Sequence, residues 1–227
     1  MIKDNPKELI PKFFNSTANS YDSIVNWTTF GKDSYWKNKI LEQLSTEKSV
    51  LDLACGTGIL TKQIAEKIPH AKITGVDVTK NYLEKAKEKL KSYQKISFVN
   101  QDAENLNLGK KFDCITASYL PKYCTPDVLV RKCLEHINEG GKIILHDFTY
   151  PKNKSIQKFW NFYFKGLYLA GFFMPNWKQV FVDLPHLIRT TNWVKDYEDA
   201  MMDYGLKIRT QNLTCGTSSI IVGTKIS

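Results

Sequence analysis

The stretch that most constrains this chain is Val50-Leu51-Asp52-Leu53-Ala54-Cys55-Gly56-Thr57-Gly58-Ile59-Leu60. Val50, Leu51 and Leu53 make an apolar run long enough for a strand buried on both faces. Gly56 and Gly58 permit backbone angles that a side chain would forbid, and they let a ligand approach the main chain. Leu60, Ile64 and Ile68 follow at helical spacing until Pro69 stops the helix. A strand, turn and helix of this kind gather free N–H groups and the positive end of a helix dipole at one point. That point suits a carboxylate, a phosphate or a nucleotide-like ligand.

The next strand narrows the choice. Ile73-Thr74-Gly75-Val76 is β-prone and ends on Asp77, 25 residues after Asp52. An acidic residue ending the second strand of a strand–helix–strand unit is placed to grip a ribose diol. NAD and S-adenosylmethionine both carry such a ribose. The dinucleotide pattern needs a small third residue after the two glycines, whereas Ile59, Leu60 and Thr61 follow here. Asp52, just ahead of the turn, fits the D-x-x-x-G-x-G loop of class I methyltransferases. S-adenosylmethionine is therefore the expected cofactor. The alternative is a turn glycine pair beside a surface Asp.

The alternation continues across residues 48–148. Strands are expected at 49–53, 72–76, 96–99, 112–117 and 142–147, with helices near 58–68, 80–91 and 127–138. Tyr82, Leu83, Ala86 and Leu90 stripe the second helix, and Leu129, Cys133 and Ile137 the third. Thr125 and Pro126 are placed to cap and open that third helix. Such a repeat implies a mostly parallel sheet with right-handed crossovers and ligands bound beyond the carboxyl ends of the strands. Asp52, Asp77, Asp102, Ser118 and Asp147 all fall at or just past those ends. Asp102-Ala103, after the third strand, is placed to meet an adenine: the carboxylate takes the amino group and a main-chain N–H reaches a ring nitrogen. A helix N-cap is the other role open to Asp102.

The flanks complete one 227-residue unit. Residues 1–47 are helical and rich in aromatics (Phe13, Phe14, Tyr21, Trp27, Phe30, Tyr35, Trp36), which suits a lid over the cofactor's methionine end or plain core packing. Residues 149–192 break the βα rhythm with a dense aromatic insertion, interrupted by Lys165, Gly166, Gly171 and Pro175. It is either a buried helical layer or the wall of a greasy cavity beside a membrane-facing surface. Residues 193–227 supply a last helix ended by Gly205 and two strands near 206–213 and 218–224, paired antiparallel. The expected fold is thus α/β, Rossmann-like, with a seven-stranded mostly parallel sheet and helices on both faces.

Charge and cysteine content bound the function. The net charge is +9, but Arg occurs only at Arg131, Arg189 and Arg209, and the lysines alternate with Glu along helix faces. That reads as a solvated surface rather than a nucleic-acid interface, while leaving attraction to an anionic membrane open. No apolar run reaches the roughly 20 residues needed to span a bilayer, and residues 1–6 carry no apolar leader. The five cysteines are scattered, with no C-x-x-C pair and no clustered histidines. Reduced thiols, no metal site and a cytoplasmic location, at most peripheral to a membrane, are expected.

The motifs together resemble the UbiE/MenG family of quinone-biosynthesis C-methyltransferases over nearly the whole length. Tyr21-Asp22 with Asn26, then Thr29-Phe30-Gly31 and Trp36-Lys37, match the family's N-terminal signatures. Leu51 to Gly58 match its L-D-L-A-x-G-T-G loop. Phe112-Asp113-Cys114-Ile115-Thr116-Ala117-Ser118 match its F-D-x-I-T-x-S strand. Asp203-Tyr204-Gly205-Leu206 and Asn212-Leu213-Thr214-Cys215-Gly216 echo its C-terminal signature. The resemblance implies C-methylation of a polyprenyl benzoquinol or naphthoquinol, and cofactor contacts at Thr57, Asp77, Asp102, Ala103 and Ser118. Asp52, Gly56, Gly58 and Tyr21 join them as cofactor-binding candidates. It also fits a homodimer.

Two departures bear on the acceptor. Where the family has S-F-G-L-R-N after the fourth strand, this chain has Ser118-Tyr119-Leu120-Pro121-Lys122-Tyr123, and the family His following F-G is absent. Lys122 therefore becomes the candidate to steady a phenolate, with Tyr21, Asn26, Tyr123 or His146 holding or relaying the proton. His146 reads equally as a packed, satisfied histidine. An O- or N-methyltransferase acting on another small lipophilic acceptor, or a cofactor-binding scaffold without activity, are the competing readings.

Overall fold

The computed structural model describes residues 6–14 and 16–226; the sequence expectation about a leader at 1–6 lies outside them but for Pro6. The strands are β1 (Ser49–Leu53), β2 (Lys72–Asp77), β3 (Ile96–Asn100), β4 (Phe112–Ser118), β5 (Ile137–Phe148), β6 (Lys207–Leu213) and β7 (Ser218–Thr224). They form a seven-stranded sheet in the order β3-β2-β1-β4-β5-β7-β6. β7 alone runs antiparallel to both its neighbours, and the other pairings are parallel. The order reverses between β1 and β4, where the carboxyl ends splay and leave a crevice.

Both faces are covered because alternate strand residues point to opposite layers. Leu51, Leu53, Ile115, Ala117, Ile143 and Leu145 pack with α6 (Pro126–Glu135) and α9 (Trp193–Asp203). Val50, Ile73, Cys114 and Ile144 pack with α3 (Lys32–Leu41) and α4 (Ile59–Lys67). The second predicted helix is α5 (Lys80–Lys89), packed on β2 and β3.

Two local expectations change. The third helix stops at Glu135 instead of continuing to 138, and β5 starts at Ile137. Gly140 has φ +72° and the register shifts between the Phe112–Ile137 and Cys114–Lys142 pairs, so a bulge lets the early part of the strand pair. Thr125 stands at the N-cap of α6 but its side chain makes no capping bond; its backbone N–H instead donates to Glu104 Oε1 at 2.7 Å.

A third apolar layer sits over the crevice. The insertion forms α7 (Lys154–Ala170) and α8 (Pro175–Thr190), separated at Gly171 and Pro175. Leu167, Trp177, Val180, Phe181 and Leu187 pack against Leu9 and Phe13 from α1 (Leu9–Phe14), together with Tyr123. Polar ties join the same parts: Trp177 Nε1 donates to Ser20 Oγ at 2.9 Å, and the Tyr163 hydroxyl donates to the Thr28 carbonyl at the end of α2 (Tyr21–Thr28). The N-terminal segment and the insertion thus form a joint roof.

Candidate active site

Two cavities meet beneath that roof. The first, about 290 Å³, lies over the ends of β1, β2 and β4 and is lined by Gly56, Asp77, Asp102, Ala103, Ser118, Tyr119, Tyr21, Tyr82 and Tyr123, among others. The second, about 350 Å³, is almost wholly apolar and runs between the roof helices past Trp36, Phe148, Trp160, Phe164, Trp177 and Phe181. Phe14, Tyr21, Tyr119 and Tyr123 line both, so the cavity with the polar rim and the greasy one adjoin across these four rings.

The polar end is built by the Gly-rich turn. Ala54, Gly56 and Gly58 all take positive φ, which turns the chain back on itself at the end of β1. Gly56 N–H donates to Asp77 Oδ2 at 2.9 Å, and Thr79 N–H donates to Oδ1 at 2.7 Å. Both oxygens keep further lone pairs for a diol. Burial raises the Asp77 carboxyl, and the two backbone donors oppose that rise.

Other candidates take different places. Asp52 is not in the main cavity. Its carboxylate accepts from Thr61 Oγ1 at 2.6 Å and Thr116 Oγ1 at 2.9 Å, and burial pushes it up to about 6. It floors a small side crevice of about 30 Å³ shared with Thr57, Lys37, Tyr21 and Ser118. Thr57 donates to Asp22 Oδ1 at 2.5 Å, and Lys89 holds the other Asp22 oxygen at 2.5 Å, so the turn is tied to α2 and α5. Gly58 touches neither cavity. A Cβ there would stand 2.9 Å from Leu90 Cδ1 and 3.2 Å from Ala86 Cβ, so this glycine serves close packing of the turn on α5.

Asp102 takes the capping role and also borders the main cavity. Oδ1 caps the turn Ala103–Asn105 by accepting from Glu104 N–H at 3.0 Å, and the residue lines the main cavity beside Ala103. Its Oδ2 accepts from Lys7 Nζ at 2.5 Å; Lys7 also reaches Glu104, closing the N-terminal segment over that end.

Among the candidate catalytic residues, Tyr21 and Tyr123 sit where the cavities adjoin. Neither hydroxyl has a hydrogen-bond partner among the described residues. Burial lifts both phenols well above their usual value, so they stay protonated. Lys122 lines the greasy end, but its ammonium is not a lone charge: Nζ donates to Asp147 Oδ1 at 2.6 Å and to the Tyr119 carbonyl at 3.0 Å, and lies 4.5 Å from the centre of the Tyr123 ring. Burial lowers Lys122 and raises Asp147, and each offsets the shift of the other.

The sequence expectation for the remaining two is corrected. Asn26 is exposed on α2 and lines neither cavity, because Val25 is the residue that turns inward there. His146 is fully buried and lines neither cavity. Its Nδ1 pairs with Ser118 Oγ at 2.9 Å and its Nε2 with Ser218 Oγ at 2.8 Å, and burial drives it well below the usual imidazole value. It is a neutral, satisfied histidine that orients Ser118.

Sequence reasoning missed Lys37, Asp33, Tyr82 and Tyr119. Lys37 is buried beside Asp33 and the Tyr119 ring at the side crevice, and Tyr119 donates to Asp33 Oδ1 at 2.8 Å. Tyr82 passed for an apolar stripe residue. It packs edge-on to Tyr21 at 5.2 Å and pairs with Thr17 Oγ1 at 2.7 Å.

Comparison with known proteins settles which family this site belongs to. Residues 2–225 match the profile of the ubiE/COQ5 methyltransferase family. The chain belongs to that family. As a ubiE/COQ5 member it is an S-adenosylmethionine-dependent methyltransferase. It is 31% identical over 160 residues to the demethylmenaquinone methyltransferase of Thermotoga maritima, covering 68% of each chain. Over 175 residues it is 31% identical to that of Lactococcus lactis, covering 74% of this chain and 69% of the relative. Among solved structures it superposes on magnesium protoporphyrin IX methyltransferase from Synechocystis, which carries bound S-adenosylhomocysteine. There the TM-score is 0.67, with 19% identity and 96% and 99% of the two chains covered. The plantazolicin methyltransferase BpumL gives a TM-score of 0.62 at 16% identity, with 97% of each chain covered. These two support the fold.

Proposed function

We propose that this methyltransferase alkylates a ring carbon of a polyprenylated benzoquinol or naphthoquinol, held in the greasy one of the adjoining cavities. The observation that carries the reading is an apolar cavity of about 350 Å³ set directly against the cofactor end, with Tyr21, Tyr119 and Tyr123 lining both. A flat ring at the junction meets hydroxyls, and an isoprenoid tail meets Trp160, Phe164, Trp177 and Phe181. The relatives from Thermotoga maritima and Lactococcus lactis, each 31% identical to this chain, are demethylmenaquinone methyltransferases.

The turn fits the cofactor. The positive φ of Gly56 leaves main chain rather than side chain facing the cavity, and Asp77 is held ready by two backbone donors. Asp77, Gly56, Asp102, Ala103, Ser118 and Tyr21 would hold it, with Thr57 and Asp52 bracing the turn from the side crevice. When bound, S-adenosylmethionine supplies a methyl group already activated by its sulfonium. What is left for the protein is alignment and control of charge on the acceptor.

Tyr21 and Tyr123, neutral donors, would give hydrogen bonds to the acceptor oxygen, whose proton passes to solvent water, and so stabilise the charge that pushes electron density toward the neighbouring ring carbon. Lys122 works through Tyr123: its ammonium sits on that ring and is balanced by Asp147, which makes it a positioning residue. The Ser118–His146–Ser218 chain fixes the Ser118 hydroxyl at the cofactor end.

The test is mass spectrometry of quinones extracted from a bacterium lacking its own ubiE-type enzyme and expressing this chain. Reappearance of the ring-methylated quinone is expected. Persistence of the demethylated precursor, with the purified chain still binding S-adenosylhomocysteine, would refute the ring-carbon assignment and leave an O- or N-methyl acceptor for the same cavity.

A further inference from the structure

The roof carries an apolar ridge that none of the described residues covers. On α7, Phe162 is 75% exposed and Leu169 61%, and Phe173, just past its end, is 89% exposed. At 100° per residue, Phe159, Phe162, Gly166 and Leu169 share an arc of about 80°, and Lys154, Lys158 and Lys165 fill an adjoining arc of about 40°. The opposite side of the helix, with Trp160 and Leu167, is buried. α7 is therefore apolar on two sides: one seals the cavity and the other faces out.

We infer that this ridge docks the enzyme on an anionic lipid bilayer, with α7 lying in the plane of the interface. Three observations point to lipid rather than to another protein. First, residues 149–192 carry six basic side chains against one acidic, Asp183, and Lys152, Lys154, Lys158, Lys165 and Lys178 are all exposed. An apolar stripe flanked by lysines suits the boundary between acyl chains and anionic headgroups. Second, a two-fold contact that ran α7 antiparallel to its copy would set this lysine row against itself. Third, the outer lining of the greasy cavity is on the same side: Phe159 and Tyr163 of α7 and Phe30, itself 72% exposed and 5.4 Å from the Tyr163 ring, all line it. No helix among the described residues is long and apolar enough to cross a membrane, so contact is from one side. The docking places the mouth of the cavity against the leaflet in which a lipophilic acceptor dissolves. That purpose rests on the acceptor reading above, but the docking itself is tested without any acceptor.

The experiment is co-sedimentation of the full chain with vesicles of phosphatidylglycerol and phosphatidylcholine, and with phosphatidylcholine alone. The chain is expected to bind the anionic vesicles and to be released by salt. A variant carrying Phe162→Ser, Leu169→Ser and Phe173→Ser, none of which lines either cavity, is expected to bind at least about tenfold more weakly. A Lys154→Gln, Lys158→Gln and Lys165→Gln variant is expected to lose about 100-fold, at roughly fivefold per lysine. Both should keep their affinity for S-adenosylhomocysteine, which shows that they fold. Hydrogen–deuterium exchange of the unaltered chain gives an independent reading: vesicles should protect residues 158–173. No binding to anionic vesicles, binding unchanged in both variants, or loss only of a dimer in sedimentation velocity would overturn the docking. Failure of quinone methylation with vesicle binding intact would refute the acceptor reading alone.

Discussion

Removing the Lys122 ammonium while keeping its bulk tests whether the buried ion pair holds this part of the site together. Asp147 is completely buried, and its carboxylate is met by three donors: Lys122 Nζ at 2.6 Å, Phe148 N–H at 2.7 Å and Lys122 N–H at 3.2 Å. Lys122→Met leaves the two backbone donors and takes away the one ion-pair partner Asp147 has among the described residues. Breaking a buried pair from one side costs about 3–5 kcal/mol. The loss of the ammonium's contacts with the rings of Tyr119, Tyr123 and Phe148, at 4.5–5.7 Å, is included in that range. The cost has a pH signature. Burial already raises Asp147 in the unaltered protein, and without Lys122 it rises further. An acid whose folded pKa is raised above its unfolded value, about 3.9, loses stability as pH climbs through that window and regains it when protonated. The deficit should therefore be largest near pH 8 and shrink toward pH 5. Urea unfolding followed by circular dichroism, with unchanged m-values, measures it. The double variant Lys122→Met with Asp147→Asn carries no charge and keeps a carbonyl for the backbone donors, so it should return to within about 1.5 kcal/mol of the unaltered protein. A single-variant loss under about 1 kcal/mol at pH 8, or a double variant no better than the single, would refute the reasoning.

Three other outcomes are expected. Asp77→Ala removes the acceptor of the Gly56 and Thr79 N–H groups together with the proposed ribose contact, so calorimetry should find S-adenosylhomocysteine bound at least about 100-fold more weakly. Retained affinity would remove Asp77 from the site. Gly58→Ala meets both a φ of +82° and a Cβ only 2.9 Å from Leu90, and should cost about 1–3 kcal/mol in thermal unfolding with the fold preserved; an unchanged Tm would mean that α5 yields freely. Tyr21→Phe and Tyr123→Phe should each lower kcat by roughly 10- to 100-fold with little change in cofactor affinity, because each variant keeps the ring that lines the cofactor cavity; an unaltered kcat in both would take the hydroxyls out of the reaction.

The βα core was legible because each of its signals is local. Val50, Leu51 and Leu53 are apolar on both faces, Leu60, Ile64 and Ile68 keep a helical period, and Gly56 and Gly58 mark a turn only glycine makes comfortably. Backbone sterics and burial act within a few residues, so sequence order is enough. The rim residues Asp77, Asp102, Ala103 and Ser118 followed, because a strand's carboxyl end is fixed once the strand is.

What lay beyond reach depends on which side chains meet across long separations. Lys122 looked like a free cation until the fold set Asp147 beside it, 25 positions away. Whether His146 was a base or a packed residue depended on Ser118 and Ser218, the latter 72 positions on. Asn26 faced outward because the phase of a short helix was set by what Val25 and Tyr21 pack on. Sequence by itself thus determined the sheet, the cofactor turn and the kind of ligand it suits, all consequences of backbone geometry and periodic burial. Only tertiary structure decided which charges are neutralised, which hydroxyls stay unpartnered and where the greasy cavity adjoins the polar one. Those properties arise from contacts among α1, α2, α7, α8 and the strand ends, and no local pattern encodes them.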